Sequence, residues 1–279
     1  MKLKLLLLIL AMSLTACSSD NNDSDNNVST GNTELVQPVE KVHDDVKIEL
    51  SDIEIDKLDN QKWGYGQGVN LDLNNRPYGA LDFNELYSKY NAIAITDNEN
   101  KIFLTFDQGY ENGYTSQILD ILKYKNVKAT FFVIMDYVER NPELVQRMID
   151  EGHNVGNHSV SHYSMPDCSF EENVNEIMQL HEYMLENFNY EMTMFRPPMG
   201  EYSEKTLAIT QKCGYKTILW SYAYADWDVN NQMSEQTALD KLENSLHDGA
   251  VYLLHSVSST NTAILDDFID LAIENGYSF

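Results

Sequence analysis

The chain has 279 residues, 44 acidic side chains against 19 basic ones, a formal charge of −25 and 43% hydrophobic residues. That length and apolar content favour one sizeable core over two small ones. The charge argues against a nucleic-acid partner, because phosphate binding needs a basic face, and gives no attraction to anionic lipid or anionic wall polymers.

The first predicted element is an export signal. Lys2 and Lys4 precede an apolar run that ends at Met12, followed by Leu14-Thr15-Ala16-Cys17. The run is too short to span a bilayer permanently. Its ending resembles a bacterial lipobox, which implies that Cys17 is lipidated and becomes the first residue of the mature chain. Residues 1–16 are then a lipoprotein signal peptide. Residues 17–34 are a tether of mostly Ser, Asn, Asp, Gly and Thr that cannot bury apolar surface. The expected location is outside the cytoplasm, held to a membrane by Cys17 and facing the wall or periplasm. The protein is expected to be a monomer.

Residues 35–100 are predicted to be an N-terminal extension packed on the domain that follows. Residues 35–58 are mixed and acidic. The stretch from Trp63-Gly64-Tyr65-Gly66 to Pro77 is turn-rich, with Asn75-Arg76-Pro77 as a breaker, and residues 81–90 have helical spacing.

From Lys101 a regular alternation begins. Strands are predicted at residues 102–106, 129–134, 154–156, 192–195, 217–220 and 250–254, because these runs are apolar, β-branched or aromatic. Helices are predicted between them, at 116–124, 142–151, 170–187, 203–213, 235–246 and 263–275. Pro142 suits a helix start, and Gly152 and Gly214 suit helix stops. Such alternation implies an α/β domain, 101–279, with a parallel sheet and helices outside it. Cys168 and Cys213 are expected to be two separate buried thiols.

Closed into a barrel, such a chain would place its reacting groups after the C-terminal ends of the strands. The residues there are Asp107 and Gln108, then Asn157, His158 and His162, then Arg196, Asp226, Trp227 and His255. His158 and His162 are four apart, so one helical turn would set them on one face, close enough to share a metal. A zinc-like metal in a hydrolase acidifies a water and polarises a carbonyl. A carboxylate must take the proton from that water, and an acid must protonate the leaving nitrogen. Asp107 suits the base and His255 the acid. Arg196 suits holding Asp107 ionised.

The same residues carry a family resemblance. Thr105-Phe106-Asp107-Gln108-Gly109-Tyr110 resembles the first motif of the polysaccharide deacetylase family, the NodB-homology or carbohydrate esterase 4 group. Asn157-His158-Ser159-Val160-Ser161-His162 resembles the second, Arg196-Pro197-Pro198-Met199-Gly200 the third, Asp226-Trp227 the fourth and Leu253-Leu254-His255 the fifth. The resemblance implies a distorted (β/α) barrel and removal of acetyl groups from amino sugars. It implies Asp107 as base, His158 and His162 as metal ligands, Arg196 and Asp226 as supports of the base, and His255 as acid. Trp227 and Leu254 would line the acetate pocket, with Tyr110, Pro197 and Pro198 also against the substrate.

One position departs from the family. Most members carry a second, metal-binding Asp where this chain has Gln108. The longer match through Thr115 is similar to the delta-lactam-biosynthetic, or N-acetylmuramic acid, deacetylase branch, which also lacks that Asp. That branch implies peptidoglycan as substrate. A neutral Gln108 offers at most an amide oxygen, so a divalent, zinc-like metal is expected to bind weakly and exchange. Two other readings stay open. One keeps the chemistry on N-acetylglucosamine, another glycan or an O-acetyl ester. The other is a glycan-binding lipoprotein without activity, against which Asp107, Arg196 and His255 argue, since a binder needs no base and acid.

Overall fold

A computed structural model describes residues 50–279. The predicted signal peptide, the tether, Cys17 and residues 35–49 lie outside the described residues. In chain order the elements are α1 (Asp52–Ile55), β1 (Trp63–Gly64), α2 (Tyr78–Tyr87), β2 (Ala92–Ile93), β3 (Ile102–Gln108), α3 (Thr115–Lys125), β4 (Ala129–Val133), α4 (Met135–Arg140), α5 (Pro142–Asp150) and β5 (Asn154–Asn157). There follow α6 (Phe170–Phe188), β6 (Met194–Phe195), β7 (Glu201–Tyr202), α7 (Glu204–Lys212), β8 (Lys216–Ile218), β9 (Tyr222–Ala223), α8 (Glu235–Asn244), β10 (Ala250–His255) and α9 (Ser259–Glu274).

Eight strands form one curled, open, parallel sheet in the order β2-β8-β6-β5-β4-β3-β10-β9, and β1 pairs with β7 separately. The alternation implies the parallel sheet, and the family resemblance implies its distorted barrel. Each of the six predicted strands is found within a few residues of its expected bounds. The sheet also takes in β2 and β9, two-residue strands too short to carry a period-2 signal.

The two faces of the sheet are sorted by strand alternation. On β3, Ile102, Leu104 and Phe106 join the core beneath the helices, with Phe131 and Val133 of β4 and Tyr252 and Leu254 of β10. Residues of opposite parity face inward. Phe132, Val251 and Leu253 pack there, in a second cluster with Ile55, Ala80, Phe83 and Tyr90 from the segment ahead of β3. Asp107 and His255 share the parity of the inward set, so each sits on the inner face, His255 at the end of its strand and Asp107 one residue before the end of its own.

Two helices show why their starts were legible. Pro142 opens α5, where its missing N–H costs nothing. Ser169 opens α6 as a capping box, accepting from the Glu172 N–H at 3.2 Å while Glu172 accepts from the Ser169 N–H at 2.7 Å. Cys168 and Cys213 are both free thiols, and burial pushes Cys213 up to about 11. No helix among the described residues is long and apolar enough to cross a membrane.

Candidate active site

A cleft of about 600 Å³ opens where the strands end. Asp107, His158, His162, His255, Tyr110 and Trp227 all line it. These six come from four separate strand ends, which the parallel sheet brings to one rim.

Asp107 and His255 are register partners on neighbouring strands. Asp107 Oδ1 accepts a hydrogen bond from Arg196 Nη1 at 2.7 Å. Arg196 is fully buried, and its other nitrogens are occupied too. Nε donates to the Ile218 carbonyl at 3.0 Å and Nη2 to the Leu219 carbonyl at 3.1 Å. Its guanidinium carbon lies 4.2 Å from the centre of the Phe132 ring. Burial alone would raise the Asp107 carboxyl, but Arg196 first, then His158 and His255, outweigh it and hold it below its ordinary range. Asp107 is therefore ionised at neutral pH, with Oδ2 turned toward His158 Nε2 at 3.5 Å.

His158 and His162 have ring centres 4.9 Å apart, nearly edge to face. No helical turn brings them together, as the i, i+4 spacing suggested. Residues 158–162 are a loop with Ser159 at φ 73° and His162 at φ 57°, both left-handed. Side chains hold that loop in shape: Asn157 Oδ1 accepts from Ser159 N–H, Ser159 Oγ from His162 N–H, and Glu176 of α6 from Ser161 N–H. The left-handed turns let two rings converge over a span that a helix would cover in one turn.

His158 Nδ1 lies 2.7 Å from the Arg196 carbonyl oxygen, which can only accept. Nδ1 therefore carries the proton and Nε2 a lone pair directed at the cleft. Burial pushes the His158 imidazole down to about 4, and burial likewise lowers His162. Both rings are neutral donors at physiological pH, the state a metal requires.

The carboxylate of Asp226 belongs to His255, not to Asp107. Asp226 Oδ1 lies 2.7 Å from His255 Nδ1, and Oδ2 accepts the His255 backbone N–H at 2.8 Å. Burial lowers the His255 pKa, but the Asp226 hydrogen bond and charge outweigh it, so the imidazole sits above its ordinary value. Asn261 at the start of α9 donates to Asp226 Oδ2, and Tyr224, on the cleft wall, donates to Asn261 Oδ1. A chain of hydrogen bonds thus runs from the wall to Nδ1 of His255. Asn261 carried no sequence signal, because it lies outside every motif.

Other expected residues fall elsewhere. Leu254 points to the helix side, in the core under α9, while its neighbour Leu253 lines the cleft. Pro197 and Pro198 are buried behind the wall. Met199 stands out at φ 59°, and Gly200 next to it presses on the Trp220 ring, where an added Cβ would lie 2.6 Å from the indole. Trp220 is a wall residue that the motifs did not reveal. Its Nε1 donates to Gln67 Oε1 at 3.0 Å, and Tyr65 O–H donates to its carbonyl at 2.6 Å.

Gln108 shares the parity of Phe106 and is fully buried, away from the cleft lining. Its Nε2 donates to Ser256 Oγ at 2.6 Å, and its Oε1 has no hydrogen-bond partner. Among the described residues no group of three or more His, Cys, Asp or Glu gathers as a metal site. The His158 and His162 pair still fits a divalent cation as two protein ligands, since both imidazoles are neutral and the lone pair of His158 is fixed by the Arg196 carbonyl.

Residues 94–218 match the family model of the polysaccharide deacetylases. An uncharacterised 30.6 kDa protein of Geobacillus stearothermophilus is 44% identical over 219 residues, which cover 78% of this chain and 82% of that protein. The peptidoglycan-N-acetylmuramic acid deacetylase PdaA of Bacillus subtilis is 39% identical over 219 residues, with the same coverage of 78% and 82%. The solved structure of Bacillus subtilis PdaA, a family 4 carbohydrate esterase, superposes with a TM-score of 0.75 at 38% identity, over 80% of this chain and 95% of that one. The chain belongs to the polysaccharide deacetylase family, as a hydrolase of amide carbon–nitrogen bonds.

Proposed function

We propose that this protein removes the N-acetyl group of N-acetylmuramic acid in peptidoglycan, with Asp107 as base and His255 as acid. The observation that carries the reading is the register pair of Asp107 and His255, each held by its own buried partner of opposite character. Arg196 favours the ionised form of one, and Asp226 favours the protonated form of the other. Tuning two neighbouring groups in opposite directions is what general acid–base catalysis requires.

In the reaction, a water in the cleft loses a proton to Asp107 and its oxygen bonds to the acetyl carbon. The tetrahedral adduct then expels the sugar nitrogen, which takes a proton from His255 Nε2 as the C–N bond breaks. Acetate and a free amine leave. Tyr110 and Trp227 at the mouth, 52% and 60% exposed, offer faces for a sugar ring. Leu253 and Trp220 line the cleft and suit the acetyl methyl.

His158 and His162 would hold a divalent, zinc-like cation, which when bound supplies Lewis acidity toward the acyl oxygen. With two neutral protein ligands it binds weakly and exchanges. Metal analysis after dialysis against chelator, with titration back, tests this. Sub-stoichiometric metal and activity restored by added cation are expected, and a stoichiometric metal that survives chelator would contradict the ligand set.

The muramic acid assignment draws on the relation to PdaA of Bacillus subtilis. Mass spectrometry of muropeptides before and after treatment with the purified protein tests it directly. Loss of one acetyl from the muramic residue supports the reading. Loss from the glucosamine residue alone, or from neither, overturns it. The lipobox reading makes Cys17 a lipid anchor that keeps the domain near the wall, to be tested by metabolic labelling with a fatty acid and its loss in Cys17→Ala.

A further inference from the structure

We infer that Gln108 and Ser256 form a clamp that fixes the spacing of Asp107 and His255, with Gln108 acting as a positioning residue and not as a metal ligand. The inference rests on the assignment of Asp107 as base and His255 as acid.

The argument begins with the ladder between β3 and β10. Its backbone pairing runs from Ile102 opposite Ala250 to Asp107 opposite His255, and stops there. The strand β10 ends at His255, whereas β3 continues to Gln108, which pairs with Val133 on its other side. Beyond the base and the acid, no main-chain ladder ties these two strands together. The bond from Gln108 Nε2 to Ser256 Oγ, at 2.6 Å, spans that next step. A side-chain link thus takes over one residue past the point where the ladder ends, joining the neighbour of the base to the neighbour of the acid.

Burial makes this link count. Gln108 is 0% and Ser256 1% exposed, so water cannot substitute for either partner. Residue type matters as well. The amide donates its N–H to the hydroxyl oxygen without placing a charge beside Val133 in the helix-facing core, which a carboxylate making the reverse bond would do. The price is the Gln108 carbonyl oxygen, left without a partner. Strand parity points the side chain away from the face where His158 and His162 converge.

The test combines a mutant cycle with a metal titration on the full chain. Gln108→Leu, Ser256→Ala and the double variant are assayed for acetate release from muropeptides, and zinc binding is followed by calorimetry. Each single change is expected to lower kcat about tenfold with KM nearly unchanged, since misplacing catalytic groups by a fraction of an ångström falls on the chemical step. The double variant is expected to lose no more than either single one. Zinc affinity should stay within about twofold of wild type, since the pair touches no ligand.

Ser256→Ala with wild-type kcat overturns the clamp. So does a drop in zinc affinity of tenfold or more in Gln108→Leu, which would make Gln108 a ligand. If Gln108→Leu does not fold, Ser256→Ala, which only shortens a side chain, decides alone. Asp107→Asn separates the two readings. If it keeps full activity, the base assignment falls and the clamp with it. If it is inactive while Ser256→Ala is unaffected, the clamp alone falls.

Discussion

Arg196 spends every side of its guanidinium on the protein. One nitrogen binds Asp107, two bind carbonyls at the end of β8, and the plane lies over Phe132, while its own carbonyl fixes the tautomer of His158. Asp107 and His158 are thereby both referenced to one residue. Replacing it by Arg196→Gln leaves a buried carboxylate unpaired, which costs about 3–5 kcal/mol of stability, measurable by urea unfolding. The sign of the pH effect follows from the depressed Asp107 value. Its contribution to stability is full above the unfolded pKa and is lost as pH falls through the folded one. In the variant, burial loses its largest opponent, so the acid limb of kcat/KM moves to higher pH. Asp226→Asn is expected to act on the other limb. The raised His255 value contributes stability below the ordinary imidazole pKa, lost as pH rises through the folded one. Without the carboxylate, burial dominates, and the alkaline limb of kcat/KM shifts to lower pH. An unmoved limb would mean that Asp226 does not tune the acid.

Elements were legible where their signals were local. Apolar, β-branched and aromatic runs placed β3 and β10, and those two strands carry Asp107 and His255 in register. Pro142 marked the start of α5. Ser169→Ala removes a capping box on an exposed helix end and is expected to cost about 1 kcal/mol with no change in kcat, by urea unfolding alongside the activity assay. What stayed hidden depended on contacts distant in sequence or on backbone handedness. The spacing of His158 and His162 suits a helix as well as a left-handed loop, and only Glu176 from α6 and the Asn157 amide decide for the loop. Leu253 and Leu254 are adjacent and equally apolar, so choosing the wall residue required the parity of β10, which His255 sets. Asn261 and Trp220 lie outside the motifs or their named positions, and their roles emerge only through Asp226 and Gln67.

At the scale of the molecule, the eight-stranded sheet does not close on itself. Its edge strands β2 and β9 are two residues each. Residues ahead of the barrel reach the β9 side: Gln67 Nε2 donates to the Ala223 carbonyl at 3.0 Å, and Gln67 Oε1 accepts from Trp220. Tyr65 stacks edge-on against both Phe83 and Trp220. The same indole is a wall of the cleft. A seam held by side chains is the weakest line in a sheet, so amide hydrogen exchange at Tyr222 and Ala223 is expected to be faster than in β3 or β4. A sugar seated against Trp220 would press on the residue that Gln67 grips. The glycan would then serve as the missing stave of the barrel, and slower exchange at Tyr222 and Ala223 in the presence of a muropeptide would register it.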